Sequence, residues 1–423
     1  MDDRRRQGRS PGRPLLLLAV ATLLAVSGIA FVEAFRAPAR RVAVISVGSP
    51  AAAAVPATTV QRWIDAALPA VTAHDEAAWR GVLAPRGAAA RRALDDVYRH
   101  LTPIPWTDLH VVVRASRQAP GAYDVKFAGR PGGAGPSGRV VAERLLVVGW
   151  EGQQLVVTGD RTPARTARQY LMAFRVPRLV ARDGAVVICD GSWRPLADEL
   201  AADMPLARAD VRSVLGVTGG RPIVVMLYST ADEVAAYLGQ TRASARERFF
   251  ARLPTTAPAA LWWPTDIGIL ASALTPNDPW TRHMLAHEVT HTLTWRWFYH
   301  TAHQPPLLLE GMATDVEDSR SYAPLRVDVA HGDRTLPLLK LFASSDLWSN
   351  NRMTTVNLAY LEGGALVKYV IARWGLVTMR RFSVDVADTS LAPAAVEGVV
   401  RRDLGVSWAS FYAGWTSYVM TLP

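Results

Sequence analysis

The sequence predicts an α+β protein of two domains behind an N-terminal anchoring segment. Helical patterns lie between Thr59 and about His100, and from Leu109 onward the period of the apolar residues changes to that of strands. Helices followed by an antiparallel meander are typical of an α+β domain. Further strand and helix patterns follow beyond residue 168, and 423 residues leave room for two domains of ordinary size.

The first 42 residues predict a basic cytoplasmic tail followed by a transmembrane or signal segment. The arginines of the tail are Arg4, Arg5, Arg6, Arg9 and Arg13. An uncharged stretch of 18 residues, Leu15 to Val32, is just long enough to cross a bilayer as a helix. The alternative is a secretory signal with an apolar core from Leu15 to Leu24 that is cleaved near Ser27. We expect a single-pass anchor in the cell membrane, because the apolar run continues past that point. Either alternative places the remaining chain outside the cytoplasm, anchored in the first case and secreted in the second.

Residues 43–57 predict a linker, and residues 58–162 predict a small α+β domain. Its helical patterns start at Val60 and Arg91. Its strands, separated by Pro/Gly turns, are predicted at Leu109–Arg114, Ala122–Phe127, Val140–Val148 and Gln154–Thr158. This order resembles the cone-like fold of the nuclear-transport-factor-two-like proteins, which implies a ligand-binding domain or a spacer. The boundary to the next domain is predicted at Thr162 to Ala167.

The most informative segment is His287-Glu288-Val289-Thr290-His291, which is followed after 18 intervening residues by Glu310. Residues four apart lie on one face of a helix, so the two histidines can bind one metal ion while Glu288 lies beside it. The chain from Trp280 to Phe298 contains neither Pro nor Gly, which predicts that helix. Pro305 and Pro306 predict the start of the next helix, with Glu310 one turn inside it. Two His and one Glu favour zinc with an open position for water.

This spacing resembles that of the gluzincin zinc metallopeptidases, in particular of the peptidase MA-like family. The shared residues are His287, Glu288, His291 and Glu310, with Glu310 opening the run Glu-Gly-Met-Ala. The resemblance implies that residues 168–423 form a zincin-like metallopeptidase domain. It also implies that the two histidines and Glu310 hold one zinc ion, and that Glu288 is the catalytic base that takes a proton from the activated water.

Four further segments resemble the framework of such a domain. Ile223–Tyr228 resembles the core strand of the sheet that precedes the site, and Ile267–Leu270 resembles the edge strand of that sheet. Leu336–Phe342 and Tyr360–Tyr369 resemble parts of its helical half. We therefore expect a sheet before the metal-binding helices and more helices after them.

Glu317 lies seven residues after Glu310, two turns further along the same helix. Its position resembles that of a carboxylate that, in some gluzincins, accepts a hydrogen bond from a ligating histidine. Such a bond sets the tautomer and orientation of the ring. Two alternatives stay open: Asp315 in the same role, or a solvated acidic face formed by Glu317, Asp315 and Asp318.

Two other side chains are candidates for places near the metal. Hydrolysis of an amide needs a donor where negative charge develops on the carbonyl oxygen, and Tyr360 is the catalytic candidate by resemblance. The alternative for Tyr360 is ordinary core packing, because it starts an apolar stretch at helical spacing. His283 lies one turn before His287. A ligand from there would close the open position, so we expect a partner at the rim or a solvated histidine.

The stretch before the metal-binding helix bears on the substrate. Aminopeptidases of this group carry a Gly-x-Met-Glu-Asn segment whose Glu grips the free amine, whereas Ala260–Ile267 contains no Glu. An endopeptidase that takes an extended peptide or protein substrate along the edge strand is therefore expected. Trp262 and Trp263 line an apolar subsite or belong to the core. The alternative from another class is a metal-containing binding or scaffold module of the cell envelope without catalysis.

Composition excludes some functions. The lone Cys189 predicts a buried strand residue and neither an internal disulfide nor a nucleophile. The net charge of +10 lies in the basic tail and in scattered arginines, without a run of Lys/Arg interleaved with aromatic residues. The sequence therefore gives little support to nucleic-acid binding.

Overall fold

The structure is a computed structural model, and it is mixed in helix and sheet. The residues it describes are 55–117, 119–134, 140–164, 166, 170–219, 222–238, 249–252, 266–298, 300–332, 338, 342 and 353–423. The basic tail, the predicted anchor and most of the predicted linker lie outside the described residues, as does the segment 260–265. Within the described ranges, no helix is both long enough and apolar enough to cross a membrane.

Helices precede an antiparallel sheet in the described part of residues 55–160. The helices are α1 (Ala57–Asp65), α2 (Leu68–Thr72), α3 (Glu76–Leu83) and α4 (Gly87–Leu101). The strands, in their order across the sheet, are β1 (Trp106–Ala115), β2 (Ala122–Pro131), β3 (Val140–Glu151) and β4 (Gln154–Asp160). The strands predicted here are confirmed. The two helical patterns hold four helices. The chain turns in left-handed backbone at His74, between α2 and α3, and at Ala84, between α3 and α4, with φ of 58° and 40°. Between α1 and α2 it breaks at Ala66 and Ala67.

A five-stranded sheet follows in the described residues of 177–270. Its elements are β5 (Pro177–Arg182), β6 (Ala185–Asp190), α5 (Arg194–Leu215), β7 (Ile223–Tyr228), α6 (Ala231–Leu238), β8 (Phe249–Arg252) and β9 (Asp266–Leu270). The order across the sheet is β5-β6-β7-β9-β8. The inner pairs are parallel, and β5 and β8 pair antiparallel at the two edges.

The predicted core strand Ile223–Tyr228 is confirmed, since all six of its residues are buried. The expectation that Ile267–Leu270 forms the edge strand is wrong. These residues lie in β9, which pairs with β7 on one side and with β8 on the other. The edge belongs to β8, whose four residues are too few to show a period of two in the sequence.

The described residues of 43–301, together with 312–320, form one compact unit. A single hydrophobic core extends from Val55 to Leu270 and includes side chains behind both sheets. Phe174 and Tyr228 stack at 5.3 Å between ring centroids, and the carbonyl oxygen of Phe174 lies 2.7 Å from Nε2 of the buried His100. The predicted boundary at Thr162 to Ala167 falls inside this unit, and the division into domains stays a prediction.

A second unit comprises the described residues of 302–311 and 321–423. Two further helices of the chain, α7 (Pro279–Thr294) and α8 (Pro306–Glu317), precede residue 321. The described helices of this unit beyond residue 321 are α9 (Ala323–His331), α10 (Met353–Trp374), α11 (Leu376–Ala387), α12 (Pro393–Val399) and α13 (Trp408–Val419). The predicted helix at Tyr360–Tyr369 is confirmed as part of α10. Of the predicted segment Leu336–Phe342, only Leu338 and Phe342 are described, both helical and buried.

Candidate metal centre

Helix α7 (Pro279–Thr294) carries His287 and His291. Asp278 caps its start, because its side chain accepts a 3.0 Å hydrogen bond from the backbone N–H of Trp280, and a proline takes the first helical position. The helix packs against α5 and the strands β8 and β9. The helix predicted around the two histidines is therefore confirmed, and it rests on the sheet that precedes it.

Helix α8 (Pro306–Glu317) carries Glu310 one turn after its start, as predicted. Its backbone touches α10 beside this residue. A Cβ added to Gly311 would lie 2.4 Å from the carbonyl oxygen of Gly363, and one added to Gly363 would lie 2.7 Å from that of Leu307. Only glycine permits so close an approach of two helices. The crossing fixes the position of α8 against α10 and, with it, the position of Glu310, which precedes Gly311.

The two helices bring His287, His291 and Glu310 together. One donor atom from each lies within 4.8 Å of the donor atoms of the other two, and the group could hold a metal ion. Donors bound to one zinc ion are about 3.4 Å apart in a tetrahedral site with bonds of about 2.1 Å, so they need to draw closer by no more than about 1.4 Å. Two imidazoles and one carboxylate are the donor set of a catalytic zinc site.

Glu317 lies at the end of α8 and contacts His287. Its Oε2 lies 3.0 Å from Nδ1 of His287, and both side chains are almost fully buried. A carboxylate only accepts hydrogen bonds when ionised, so Nδ1 carries the proton and Nε2 is the nitrogen that His287 can offer to a metal. Glu317 thus makes the contact with His287 that was expected, its role behind a metal ligand stays a prediction, and its neighbour Asp318 is exposed.

The charge of Glu317 is stabilised by its surroundings. Burial acts to raise the pKa of this carboxyl group. The hydrogen bond from His287 and the electrostatic attraction of its ring, with smaller effects of Arg320 and Ser319, outweigh burial, so the pKa of Glu317 lies below its ordinary value. The carboxylate is therefore held in the form that accepts the proton of Nδ1.

The remaining candidate residues differ in burial and in their contacts. Glu288 is 6% exposed and follows His287 on α7, and Asp315 is 4% exposed in α8. Tyr360 is half-buried on α10, one turn before Gly363, where that helix touches the segment that carries Glu310. His283 donates from Nδ1 to the carbonyl oxygen of Glu317 at 2.8 Å, so the structure gives it a partner at the rim. The catalytic roles of Glu288 and Tyr360 stay predictions.

Sequence reasoning missed three features of the site. Ser319 and Arg320 both donate to the carboxylate of Glu317, and their position just beyond the helix gave no periodic signal. The crossing of Gly311 and Gly363 does leave a signal in the sequence. A glycine inside a helix is unfavourable by about 1 kcal/mol relative to alanine, so its presence there indicates a close contact.

Cys189 is fully buried in β6, as predicted. Burial raises the pKa of its thiol from 9.0 to about 11, with smaller contributions from nearby charges. The thiolate is therefore scarce at neutral pH, which disfavours a nucleophilic role for Cys189.

Comparison of the chain with models of protein families, with curated proteins and with solved structures finds no match in any of the three. The chemistry of this centre is accordingly argued from its own residues.

Proposed function

We propose that this protein is a zinc-dependent peptidase of the gluzincin type that hydrolyses peptide bonds outside the cytoplasm. The observation that carries the proposal is the meeting of His287, His291 and Glu310, with donor atoms within 4.8 Å of one another. The carboxylate of Glu317 on Nδ1 of His287 supports it, because ligating histidines usually have such a partner. Glu288, adjacent to a ligand on the same helix, supplies the acid–base group that hydrolysis needs.

Each residue has a defined task in this proposal. Zinc, when bound, supplies a Lewis acid that polarises the scissile carbonyl group and acidifies water. The Glu288 carboxylate takes the proton of the attacking water and delivers it to the leaving nitrogen, which keeps the proton count balanced. The hydroxyl of Tyr360 donates to the oxygen on which negative charge develops. Glu317 keeps the ring of His287 in one tautomer and one orientation.

The proposal extends to the substrate and to the fold. An extended peptide or protein segment would add to the antiparallel edge strand β8 through main-chain hydrogen bonds, as endopeptidase substrates do. The described residues of 168–423 would form the zincin-like part, residues 58–162 a cone-like part, and the N-terminal segment a single-pass anchor. A secreted form remains the alternative to the anchor.

The test is metal content measured beside hydrolysis of casein, on the full-length protein in detergent. Wild-type protein should hold one zinc ion and cleave casein, with inhibition by a chelator and recovery on adding zinc. Glu288→Gln should keep the metal and lose hydrolysis, because it removes only the acid–base group. Glu310→Ala should lose the metal, because it removes a ligand. Glu397→Gln, on α12, is the matched control and should behave like wild type.

Unchanged turnover in Glu288→Gln would contradict the mechanism, and a wild-type protein without metal would overturn the assignment. Bound zinc without cleavage of any unstructured protein would favour the alternative, a metal-containing binding or scaffold module of the cell envelope.

A further inference from the structure

Glu317 is held by more groups than its contact with His287 requires. Its Oε1 accepts from Ser319 Oγ at 2.6 Å and from Arg320 Nε at 3.1 Å. Arg320 Nε is also 3.3 Å from Oε2, the oxygen that faces His287. The carboxylate therefore sits between His287 on one side and Arg320 and Ser319 on the other.

The backbone of Glu317 is held as well. Glu317 is the last residue of α8, and the next residue, Asp318, turns the chain in left-handed backbone with φ of 45°. The last carbonyl groups of a helix have no partner within the helix. His283, from the helix that carries the metal-binding histidines, donates to the carbonyl oxygen of Glu317 at 2.8 Å and meets this need.

We propose that Arg320 is a positioning residue of the metal centre, which fixes the Glu317 carboxylate and through it aims the ring of His287 at the ion. Ser319 and His283 complete what we call the Glu317 clamp, defined as Ser319, Arg320 and His283. The inference rests on the metal site of the proposed function, but it concerns metal binding and not catalysis.

Burial explains why Arg320 matters most in the clamp. The Glu317 side chain is 1% exposed and the Arg320 side chain 26% exposed, so the arginine brings a positive charge from the rim to a carboxylate that water cannot reach. A charge-assisted bond of this kind is stronger than one from a hydroxyl group such as that of Ser319. Without Arg320, the carboxylate loses its only full positive charge among the clamp residues and its fixed orientation.

The experiment measures zinc affinity of the full-length protein by competition with a chromophoric chelator. Arg320→Ala should weaken binding by about 10-fold to 100-fold, the usual effect of losing support behind a ligating histidine. Arg320→Lys should recover part of the loss, because it restores the charge without the planar guanidinium. Arg282→Ala is the matched control. Arg282 lies on α7 but pairs with Asp210, at 3.0 and 3.2 Å, and its removal should leave the affinity unchanged within about twofold.

A second comparison separates positioning from general support of the fold. If Arg320 acts through Glu317, then Arg320→Ala should weaken zinc binding little further in a Glu317→Gln background. Losses that add in full would overturn the inference, as would wild-type affinity in Arg320→Ala.

The tautomer of His287 gives a readout that does not need metal. In metal-free wild-type protein labelled with ¹⁵N-histidine, the Nδ1–H tautomer of His287 should dominate, with His287→Gln used to assign the signal. Arg320→Ala should shift this signal toward a mixture of tautomers, whereas Arg282→Ala should not. If the wild-type protein binds no zinc but Arg320→Ala still shows this shift, the proposed function is refuted and the clamp stands. An unchanged signal in Arg320→Ala would refute the clamp.

Discussion

Two clusters of side chains in this protein contain the same three kinds of residue, with a buried charge in each, but their histidines make different contacts. One joins Asp96, Arg144 and His100 between α4 and β3, where Arg144 donates to Asp96 at 2.7 Å. The other joins Glu317, Arg320 and His287 at the metal centre. Each contains one acid, one arginine and one histidine, yet only the second contributes to a group of metal donors.

The difference lies in what the histidine contacts. Both ring nitrogens of His100 lie 2.7 Å from backbone carbonyl oxygens, those of Asp96 and Phe174, and the carboxylate of Asp96 is more distant, at 3.5 Å from Nδ1. His287 instead donates from Nδ1 to a carboxylate at 3.0 Å, so Nε2 is the nitrogen that it can offer to a metal. His287 thus belongs to a group that could hold a metal ion, whereas backbone carbonyl groups face both ring nitrogens of His100.

The clusters also differ in which charge is buried. Arg144 is 1% exposed and Asp96 38%, whereas Glu317 is 1% exposed and Arg320 26%. Burial lowers the pKa of Arg144, opposed by the charges of Asp96 and Asp160, while the pKa of Glu317 lies below its ordinary value despite burial. In each case the charge of the more exposed partner opposes the effect of burial on the pKa of the buried partner, although at Glu317 the contribution of His287 is larger than that of Arg320.

Substitution of the two histidines should separate the clusters most strongly. His287→Ala should weaken zinc binding by a factor on the order of a thousand, because one of three protein ligands is lost. His100→Ala should leave zinc binding unchanged and should lower the free energy of unfolding by about 2 kcal/mol, since the buried hydrogen bonding of the ring to backbone carbonyl oxygens disappears and a cavity is left. Chelator competition and urea unfolding measure the two effects. Equal zinc loss in both variants would contradict the comparison.

Substitution of the acid and of the arginine in each cluster should lower the unfolding free energy of the metal-free protein by amounts that rank oppositely in the two clusters. Asp96→Ala leaves the buried Arg144 without its bonded carboxylate and should cost about 3 to 4 kcal/mol of unfolding free energy, more than Arg144→Met, at about 1 kcal/mol. At the metal centre the buried member is the acid, so removal of the base should now cost more than removal of the acid. Arg320→Ala should therefore lower the unfolding free energy more than Glu317→Gln. Urea unfolding of the four variants provides the measurement. If removal of the acid cost more than removal of the base in both pairs, exposure would not be what decides the cost.

The extent to which the sequence predicts these features depends on how local each one is. His287, His291 and Glu310 were identified from their spacing within two helices, and the structure brings their donor atoms together. The contact between His283 and Glu317 joins residues 34 positions apart, so no local pattern predicts it. The prediction that β9 is the edge strand is wrong for a related reason. The true edge strand, β8, has only four residues and pairs with β9 through non-local hydrogen bonds, which no local pattern predicts.

The glycine crossing lies beside Glu310, and filling it should weaken both the packing of α8 against α10 and the metal centre. Gly363→Ala would place a Cβ 2.7 Å from the carbonyl oxygen of Leu307, so the helices must separate, at about 3 kcal/mol of unfolding free energy and with weaker zinc binding. Gly398→Ala in α12 is the matched control. A Cβ there meets nothing within 4 Å, and the change should stabilise the protein by about 0.5 to 1 kcal/mol. Zinc affinity and thermal unfolding check both variants, and stabilisation by Gly363→Ala would contradict the crossing.

The smallest expected effect concerns Cys189, a buried ionisable group that belongs to neither cluster. Burial raises the pKa of its thiol from 9.0 to about 11, so the folded state resists ionisation that the unfolded state accepts. The contribution of Cys189 is fully present below about pH 9 and is lost as pH rises from 9 to about 11, by about 2 to 3 kcal/mol. Other groups titrate in this range, so the quantity to measure is the difference in unfolding free energy between wild type and Cys189→Ala. Because the cavity left by the substitution costs the same at every pH, that difference should be constant up to about pH 9 and then narrow. A difference that stays constant to pH 11 would mean that the thiol ionises as readily inside the sheet as outside it, and burial alone would not suffice to hold a group in its neutral form.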